Sequence, residues 1–513
     1  MPPSVGPAGP VRALRAGTRF VLDPTTPAVL AAVAPALTYT ARVPLAGYER
    51  MAAVRAGRPP FDTEDRRLYA LDARGRLATT LGNWERVRDA LARAGLTARL
   101  ETIARPPRPQ AYVAHWDRLK GRGITFRHKQ LDALRLMAAY PTGRVDCPTA
   151  FGKSWLIGIL CLLFPEARMA VTTRSADVLG QRIYPALCGL LPDVGIRTGG
   201  KKSADRRVMC YTADSLHNCP PDIDWLLFDE VHEAAADSHM EDLARFHHAR
   251  MWGFSASHDC RQDGLDARVE AVFGPVRLRV SYEEGVAHGM ITPIRVEWGD
   301  VPAAGNPCQG IPTGDSTARK RAGRWAHEAR HRAIAADARR YGPGVQTLIT
   351  VSTIEHALHL RRLLPEFELV YRADAVGPEE QAAFARRGLW PADLRPLDDA
   401  RKAALTAAFE AGRLTKAIAT TVWNRGVDFG HLAVLLRGDA GRSGINDRQV
   451  PGRTSRRPDL KDVSVVHDYT DRFDPGMAAA AGFRSASYRA MGWEQVFPPS
   501  GPPQPVRRPA AAR

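Results

Sequence analysis

Short apolar runs alternate with helix-length stretches over most of this chain, the sequence sign of parallel strands joined by crossover helices. The first set of runs, residues 169–173, 208–211, 225–228 and 251–254, is largely apolar or β-branched, as in strands covered on both faces. After the Pro- and Gly-rich residues 301–314 the alternation resumes with 345–351, 416–420, 432–436 and 463–466. Ile354, Ala357, Leu358 and Leu364 share one face of a helix that follows the first of these. The pattern predicts two α/β lobes in tandem.

Ahead of the lobes, a strand-like stretch at 68–71 leads through a turn at Gly75 to a helix-like run at 84–91, where Trp84, Val87 and Leu91 form one apolar face. A small α+β domain fits this pattern. Arg105-Pro106-Pro107-Arg108-Pro109 cannot continue a helix and reads as a linker. Residues 1–17 and 498–513 are rich in Pro, Gly, Ala and Arg, lack an apolar period and read as disordered ends. The expected organisation is an N-terminal domain at 18–108, a first lobe at 109–299 and a second lobe at 300–497. The longest apolar candidate for a membrane span, 28–37, is broken by Pro35 and falls short of the roughly 20 residues a span needs. The first residues lack the order of a secretory signal, so a cytoplasmic location is expected, with no membrane partner.

Lys and Arg number 72 against 55 Asp and Glu, a net charge of +17 that suggests a polyanionic partner. Residues 1–110 carry 17 Arg, no Lys and 9 acids, so nearly half the excess lies in the first fifth of the chain. That concentration fits a nucleic-acid-binding accessory domain, although GC-rich coding also writes Arg for Lys. The seven cysteines (Cys147, Cys161, Cys188, Cys210, Cys219, Cys260 and Cys308) are odd in number and include no C-x-x-C, which fits reduced thiols. Cys210, His217 and Cys219 lie close in sequence, but weakly for a zinc site.

The chemistry starts at Pro148-Thr149-Ala150-Phe151-Gly152-Lys153-Ser154, which precedes an apolar helical run as a phosphate loop precedes its helix. Backbone N–H groups there can hold phosphates, Lys153 can reach the β and γ phosphates, and Ser154 can ligate Mg²⁺. Cys147 stands where Ala or Gly is usual, and Ala150 replaces a central Gly. About 75 residues on, the buried-strand run Trp225-Leu226-Leu227-Phe228 ends in Asp229-Glu230-Val231-His232. Adjacent carboxylates at a strand end can divide the work: Asp229 holding Mg²⁺ through water, Glu230 polarising the attacking water.

With these elements in this order, the chain resembles a superfamily 2 nucleic-acid helicase over residues 120–497, with Asp229 to His232 as its DExH box. The resemblance implies an α/β fold of two tandem RecA-like lobes, parallel sheets with helices on both faces, preceded here by the small α+β domain. It implies ATP and Mg²⁺ as ligands, with Phe126 and Gln130, in Phe126-Arg127-His128-Lys129-Gln130, at the adenine. Thr173 and Arg174, then Thr212 and Ser215, resemble strand-binding motifs. Ser255-Ala256-Ser257 stands in the place of the motif that, with His232, couples hydrolysis to movement. In the second lobe, residues 419–428 resemble A-T-x5-G-x-D, implying Thr420 at the nucleic acid and Gly426 and Asp428 at the nucleotide. Residues 449–456 resemble Q-x-x-G-R-x-x-R, implying Gln449 at the nucleotide and Arg453 and Arg456 as arginine fingers.

Phe228 to His232, the unusual phosphate loop and Tyr488-Arg489-Ala490-Met491-Gly492-Trp493 are most similar to the UvsW-like and XPB-like branch of DNA helicases. That likeness implies an ATP-driven translocase or helicase on duplex or branched DNA, serving recombination, repair or replication in a bacterium or a phage-infected cell. Three rivals share parts of the pattern: an RNA helicase, the ATPase motor of a restriction-type system, and a nucleic-acid-binding module with a decayed ATPase.

Overall fold

The computed structural model describes residues 10–501 apart from 57, 105, 149–150, 256–263, 302–304, 373–374, 392–393, 396, 424–426, 428, 442–449 and 456–458. The chain divides into two compact units, residues 1–147 with 152–280 and residues 148–151 with 281–513.

The first unit holds a seven-stranded parallel sheet, in the order Val194–Arg197, Val208–Thr212, Met169–Thr173, Trp225–Asp229, Arg250–Ser255, Thr142–Asp146 and Val276–Arg279. The central strand Trp225–Asp229 is buried at every position, which is why it reads as an unbroken apolar run. Helix Lys153–Leu163 is likewise buried along almost its whole length, as expected of a helix apolar on all sides.

The N-terminal region is α+β. A mixed five-stranded sheet runs Tyr69–Leu71, Leu77–Thr80, Arg19–Asp23, Val11–Ala16 and Ala98–Ala104. Helices Pro27–Val33 and Trp84–Arg93 supply Val29, Val33, Val87 and Leu91 to its core. Strand Val11–Ala16 lies within the stretch expected to be a disordered end. Its inward positions are Val11 and Ala13, too few and too small to show a period among arginines, yet it pairs on both edges.

This sheet sits directly on the first lobe. The Thr18 N–H donates to the His247 carbonyl at 2.7 Å, Arg86 pairs with Glu270 at 2.8 Å, and Arg277 pairs with Glu85 at 2.9 Å. At Gly82 a Cβ would come within 2.4 Å of the Glu270 and Ala271 carbonyl oxygens, so only glycine allows this approach.

The second unit holds another seven-stranded parallel sheet: Glu368–Val370, Lys416–Ala419, Thr347–Thr350, Val434–Arg437, Ser464–Tyr469, Ile294–Gly299 and Glu494–Val496. Both lobes are therefore RecA-like α/β layers, and numbering strands along the chain within each lobe gives one order for both, 3-4-2-5-6-1-7. The second sheet takes in Ile294–Gly299, ahead of the boundary expected at residue 300. The Pro- and Gly-rich stretch after this strand looks like a domain linker, but Ile294, Val296 and Trp298 alternate inward into the second core. Among the described residues no helix is long and apolar enough to cross a membrane.

Candidate functional site

In an open parallel sheet, ligands bind beyond the carboxyl ends of the strands, and the residues expected to carry chemistry lie there in the first lobe. Register places Thr212 beside Thr173, Phe228 beside Thr172, Asp229 beside Phe254 and Ser255 beside Asp146. The strand Thr142–Asp146 leads through Cys147 to Gly152, which caps helix Lys153–Leu163 in the left-handed region at φ +88°.

Lys153 is the hub. Its buried ammonium lies 2.7 Å from Glu230 Oε1 and 3.6 Å from Asp229 Oδ1. Burial opposes the charge on Lys153, but Glu230 and Asp229 together outweigh it and hold the ammonium above the usual lysine range. For Asp229 burial dominates and raises the carboxyl above its ordinary value, with Lys153 only partly offsetting it. Asp229 Oδ1 and Glu230 Oε2 are buried and accept no hydrogen bond among the described residues. A buried carboxylate oxygen in that condition, with the half-buried Ser154 at the head of the same helix as Lys153, suits a hard divalent cation.

Glu230 adopts φ +56°, a left-handed conformation rare for a residue with a side chain, right after the strand Trp225–Asp229. It starts the short turn Val231–Ala235, which carries His232 back toward the sheet. His232 Nδ1 lies 2.8 Å from Ser255 Oγ and 3.5 Å from Glu230 Oε2, so this histidine joins the Glu230 strand end to the neighbouring strand end.

The upstream element closes on helix Lys153–Leu163. Gln130 is buried, its Oε1 accepts from the Arg127 N–H at 2.8 Å, and its Nε2 lies 3.1 Å from where a Cβ on Gly152 would stand. The Phe126 ring meets Trp155 edge-on at 5.7 Å. Trp155, the first partner of this element, passes in the sequence for an ordinary apolar helix residue. Cys147 is buried, which pushes its thiol well up and keeps it protonated. Phe151 donates its N–H to the Pro148 carbonyl at 3.0 Å. Thr149, Ala150 and Ser257 lie outside the described residues.

The expected strand-binding residues are split in exposure. Arg174 is exposed, Thr173 is buried, and Thr212 donates to Ser215 Oγ at 2.8 Å in a buried pair.

In the second lobe, Thr420 follows the strand Lys416–Ala419, and Arg453 is buried with a guanidinium N–H donated to the Val427 carbonyl at 2.8 Å. The two expected motifs of this lobe thus touch through Arg453. Gly426, Asp428, Gln449 and Arg456 lie outside the described residues. Sequence reading missed a set of buried arginines in this lobe. Arg484 grips Asp468 with two bonds of 2.8 Å, Arg437 grips Asp439 at 2.8 and 2.9 Å, and Arg330 pairs with Asp471 at 2.9 Å while donating to the Gly438 and Arg437 carbonyls.

No protein family model matches this chain, and no curated protein matches it. Among solved structures it is similar to T4 UvsW, with 13% identity and a TM-score of 0.40 over 95% of this chain and 99% of that one. It is also similar to the helicase Lhr of Mycobacterium smegmatis bound to ssDNA and AMP-PNP, with 15% identity and a TM-score of 0.46 over 72% of this chain and 49% of that one. A third similar structure is S. cerevisiae Dbp5 bound to RNA and ADP BeF3, with 13% identity and a TM-score of 0.49 over 75% of this chain and 94% of that one.

Proposed function

We propose that this chain is an ATP-driven nucleic-acid motor, a DNA helicase or translocase working on duplex or branched DNA. The observation that carries the reading is the cluster at the first sheet's carboxyl edge: one buried ammonium, Lys153, held by Asp229 and Glu230 at the head of a helix. Two carboxylates against one ammonium leave a net negative charge that attracts a divalent cation, and the arrangement gives Lys153 a route to exchange carboxylate for phosphate.

In this reading ATP is the substrate and the N–H groups opening helix Lys153–Leu163 cradle its phosphates. Asp229 and Ser154 would hold Mg²⁺, which when bound would neutralise charge on the phosphate oxygens. Glu230 takes the proton of the attacking water as its oxygen bonds to the γ phosphorus and the bond to the β-phosphate oxygen breaks, releasing ADP. Phe126 and Gln130 face the adenine, and Arg453 and Arg456 neutralise charge that develops on the transferred group. His232 and Ser255 link Glu230 to the neighbouring strand, so a change at the phosphate is felt along the sheet edge.

In this reading the exposed Arg174 holds the strand by its backbone from a strand-end surface that the buried Thr173, Thr212, Ser215 and Thr420 shape from beneath, which gives salt-sensitive binding without sequence preference. The arginine-rich residues 18–108 serve as a DNA-binding accessory domain. The proposed setting is the cytoplasm, in recombination, repair or replication.

The test is the ATPase rate without nucleic acid and with single-stranded, duplex and branched DNA and RNA. Stimulation by duplex or branched DNA is expected, with Glu230→Gln at least about 100-fold slower in every case. Stimulation by RNA alone makes it an RNA helicase, and nucleotide binding without turnover makes it a binding module.

A further inference from the structure

We propose that Trp325 is a base-stacking platform, so that the second lobe grips single-stranded nucleic acid by a base as well as by its backbone. The inference rests on the nucleic-acid reading above and names a contact which that reading does not contain. In the second lobe's sheet, the neighbouring strands Glu368–Val370, Lys416–Ala419 and Thr347–Thr350 all run in one direction, and their carboxyl ends open into a cavity of about 420 Å³. Arg372, Thr420, Thr421 and Ser352 line it from those strand ends, and Trp325 and Arg321 line it from the side.

Trp325 and Arg321 are delivered by one unusual element. Residues Arg321–Trp325 form a single π-helical turn after helix Ser316–Lys320, a geometry that is rare and recurs at functional sites. The wide turn brings its first and last residues to the same cavity. Its middle is anchored: Gly323 is buried where a Cβ would come within 2.8 Å of Met477, and Arg324 is buried. Arg321 is fixed by Glu355 at 2.8 Å, and Arg387 reaches the same carboxylate at 2.5 Å, so the one buried acid at this wall is doubly neutralised.

Trp325 is the feature the fold does not use. It is half-buried, its ring meets no other aromatic ring and its indole N–H donates no hydrogen bond among the described residues. Most of the chain's other tryptophans have such a partner: Trp84, Trp155, Trp225, Trp298, Trp423 and Trp493 all pack on aromatic rings. An indole on a cavity that also presents Phe384, a row of hydroxyls, and Arg321 and Arg372 beside the exposed Glu380 suits a flat aromatic ring attached to a phosphate, which is one nucleotide of a single strand. Stacking accepts every base, so the contact adds affinity without adding sequence preference.

The experiment measures binding of fluorescein-labelled oligothymidylate by anisotropy, with ATPase in the absence of nucleic acid as the check on folding. Trp325→Ala is expected to bind about tenfold or more weakly, Trp325→Phe to recover most of the loss, and basal ATPase to stay unchanged in both. A series of strands with a single abasic residue should contain one position where wild-type binding falls to the level of Trp325→Ala and the variant loses nothing further. Wild-type affinity in Trp325→Ala, or a loss that Trp325→Phe does not recover, overturns the inference while leaving the motor reading intact. A wild-type chain that binds no nucleic acid overturns both.

Discussion

The two lobes share one strand order, yet their carboxyl edges are built on opposite principles. The fifth strand of the first sheet ends in Asp229 and that of the second in Arg437. Around Asp229 one ammonium serves two carboxylates, burial raises the acid, and oxygen lone pairs are left over. Around Arg437 each carboxylate has its own guanidinium. Burial would raise Asp439, but Arg437 outweighs it and holds the acid down at about 2, and Arg484 outweighs burial to keep Asp468 low in the same way. Charges paired one to one lock a scaffold, whereas charges crowded and underpaired are prepared for a partner still to arrive.

The strongest way to break this contrast is to unpair the second edge. Arg484 and Asp468 are both fully buried, so Arg484→Met leaves a buried carboxylate without its ion-pair partner and is expected to destabilise the second lobe by about 3–5 kcal/mol in urea unfolding. Asp468→Asn combined with Arg484→Met should recover part of the loss, because the stranded charge is gone. A single variant as stable as the wild type would mean that this edge is not held by its ion pairs.

The asymmetry also explains what was legible in the sequence. Trp225–Asp229 announces itself because a central parallel strand must be apolar on both faces, and Lys153, Asp229 and Glu230 stand out because a Gly-Lys-Ser run before an apolar helix and paired acids at a strand end are distinctive sequence patterns. Their meeting at 2.7 and 3.6 Å adds what spacing alone lacks, a shared ammonium. Arg330, Arg437 and Arg484 gave no such signal, since an arginine in a basic chain looks like solvated surface until a distant aspartate is found beside it. Val11–Ala16 hid for a related reason: its pairing partners, Arg19–Asp23 and Ala98–Ala104, settle its fate, while its own side chains are small or charged. Trp325 needs the π turn and three strand ends to acquire its setting, and none of these is local in sequence.

A second way to sharpen the contrast uses acid. His331 in the second lobe is pulled down to about 3, first by burial and then by His359, with Arg330 and His327 adding to it and its bond to the Arg324 carbonyl opposing. His356, whose ring lies 5.0 Å away, is pushed the same way. A base whose folded pKa is lowered takes up its proton first in the unfolded chain, so stability is complete above about pH 6.5 and falls as the pH drops toward 3. At pH 5 the loss from His331 alone is about 2 kcal/mol. Urea midpoints at pH 7 and pH 5 read it, and His331→Gln should flatten the difference.

The smallest effect tests the first edge, and its sign carries the argument. Asp229 has a folded pKa above its unfolded one, so its ionised form costs stability once the pH exceeds about 4, and this cost persists at neutral pH. Asp229→Asn removes that charge and leaves the 2.7 Å contact of Lys153 with Glu230 in place. The variant is expected to gain about 1 kcal/mol at pH 7, or a few degrees in Tm, with the gain vanishing below pH 4 where the wild-type acid is neutral as well. ATPase activity should be lost in the same protein, since the carboxylate that destabilises the fold is the one proposed to hold Mg²⁺. A fall in stability comparable to that of Arg484→Met would instead mean that Asp229 and Lys153 form a structural pair. The two edges would then follow one principle, and the crowding at the first could no longer be taken as readiness for a ligand.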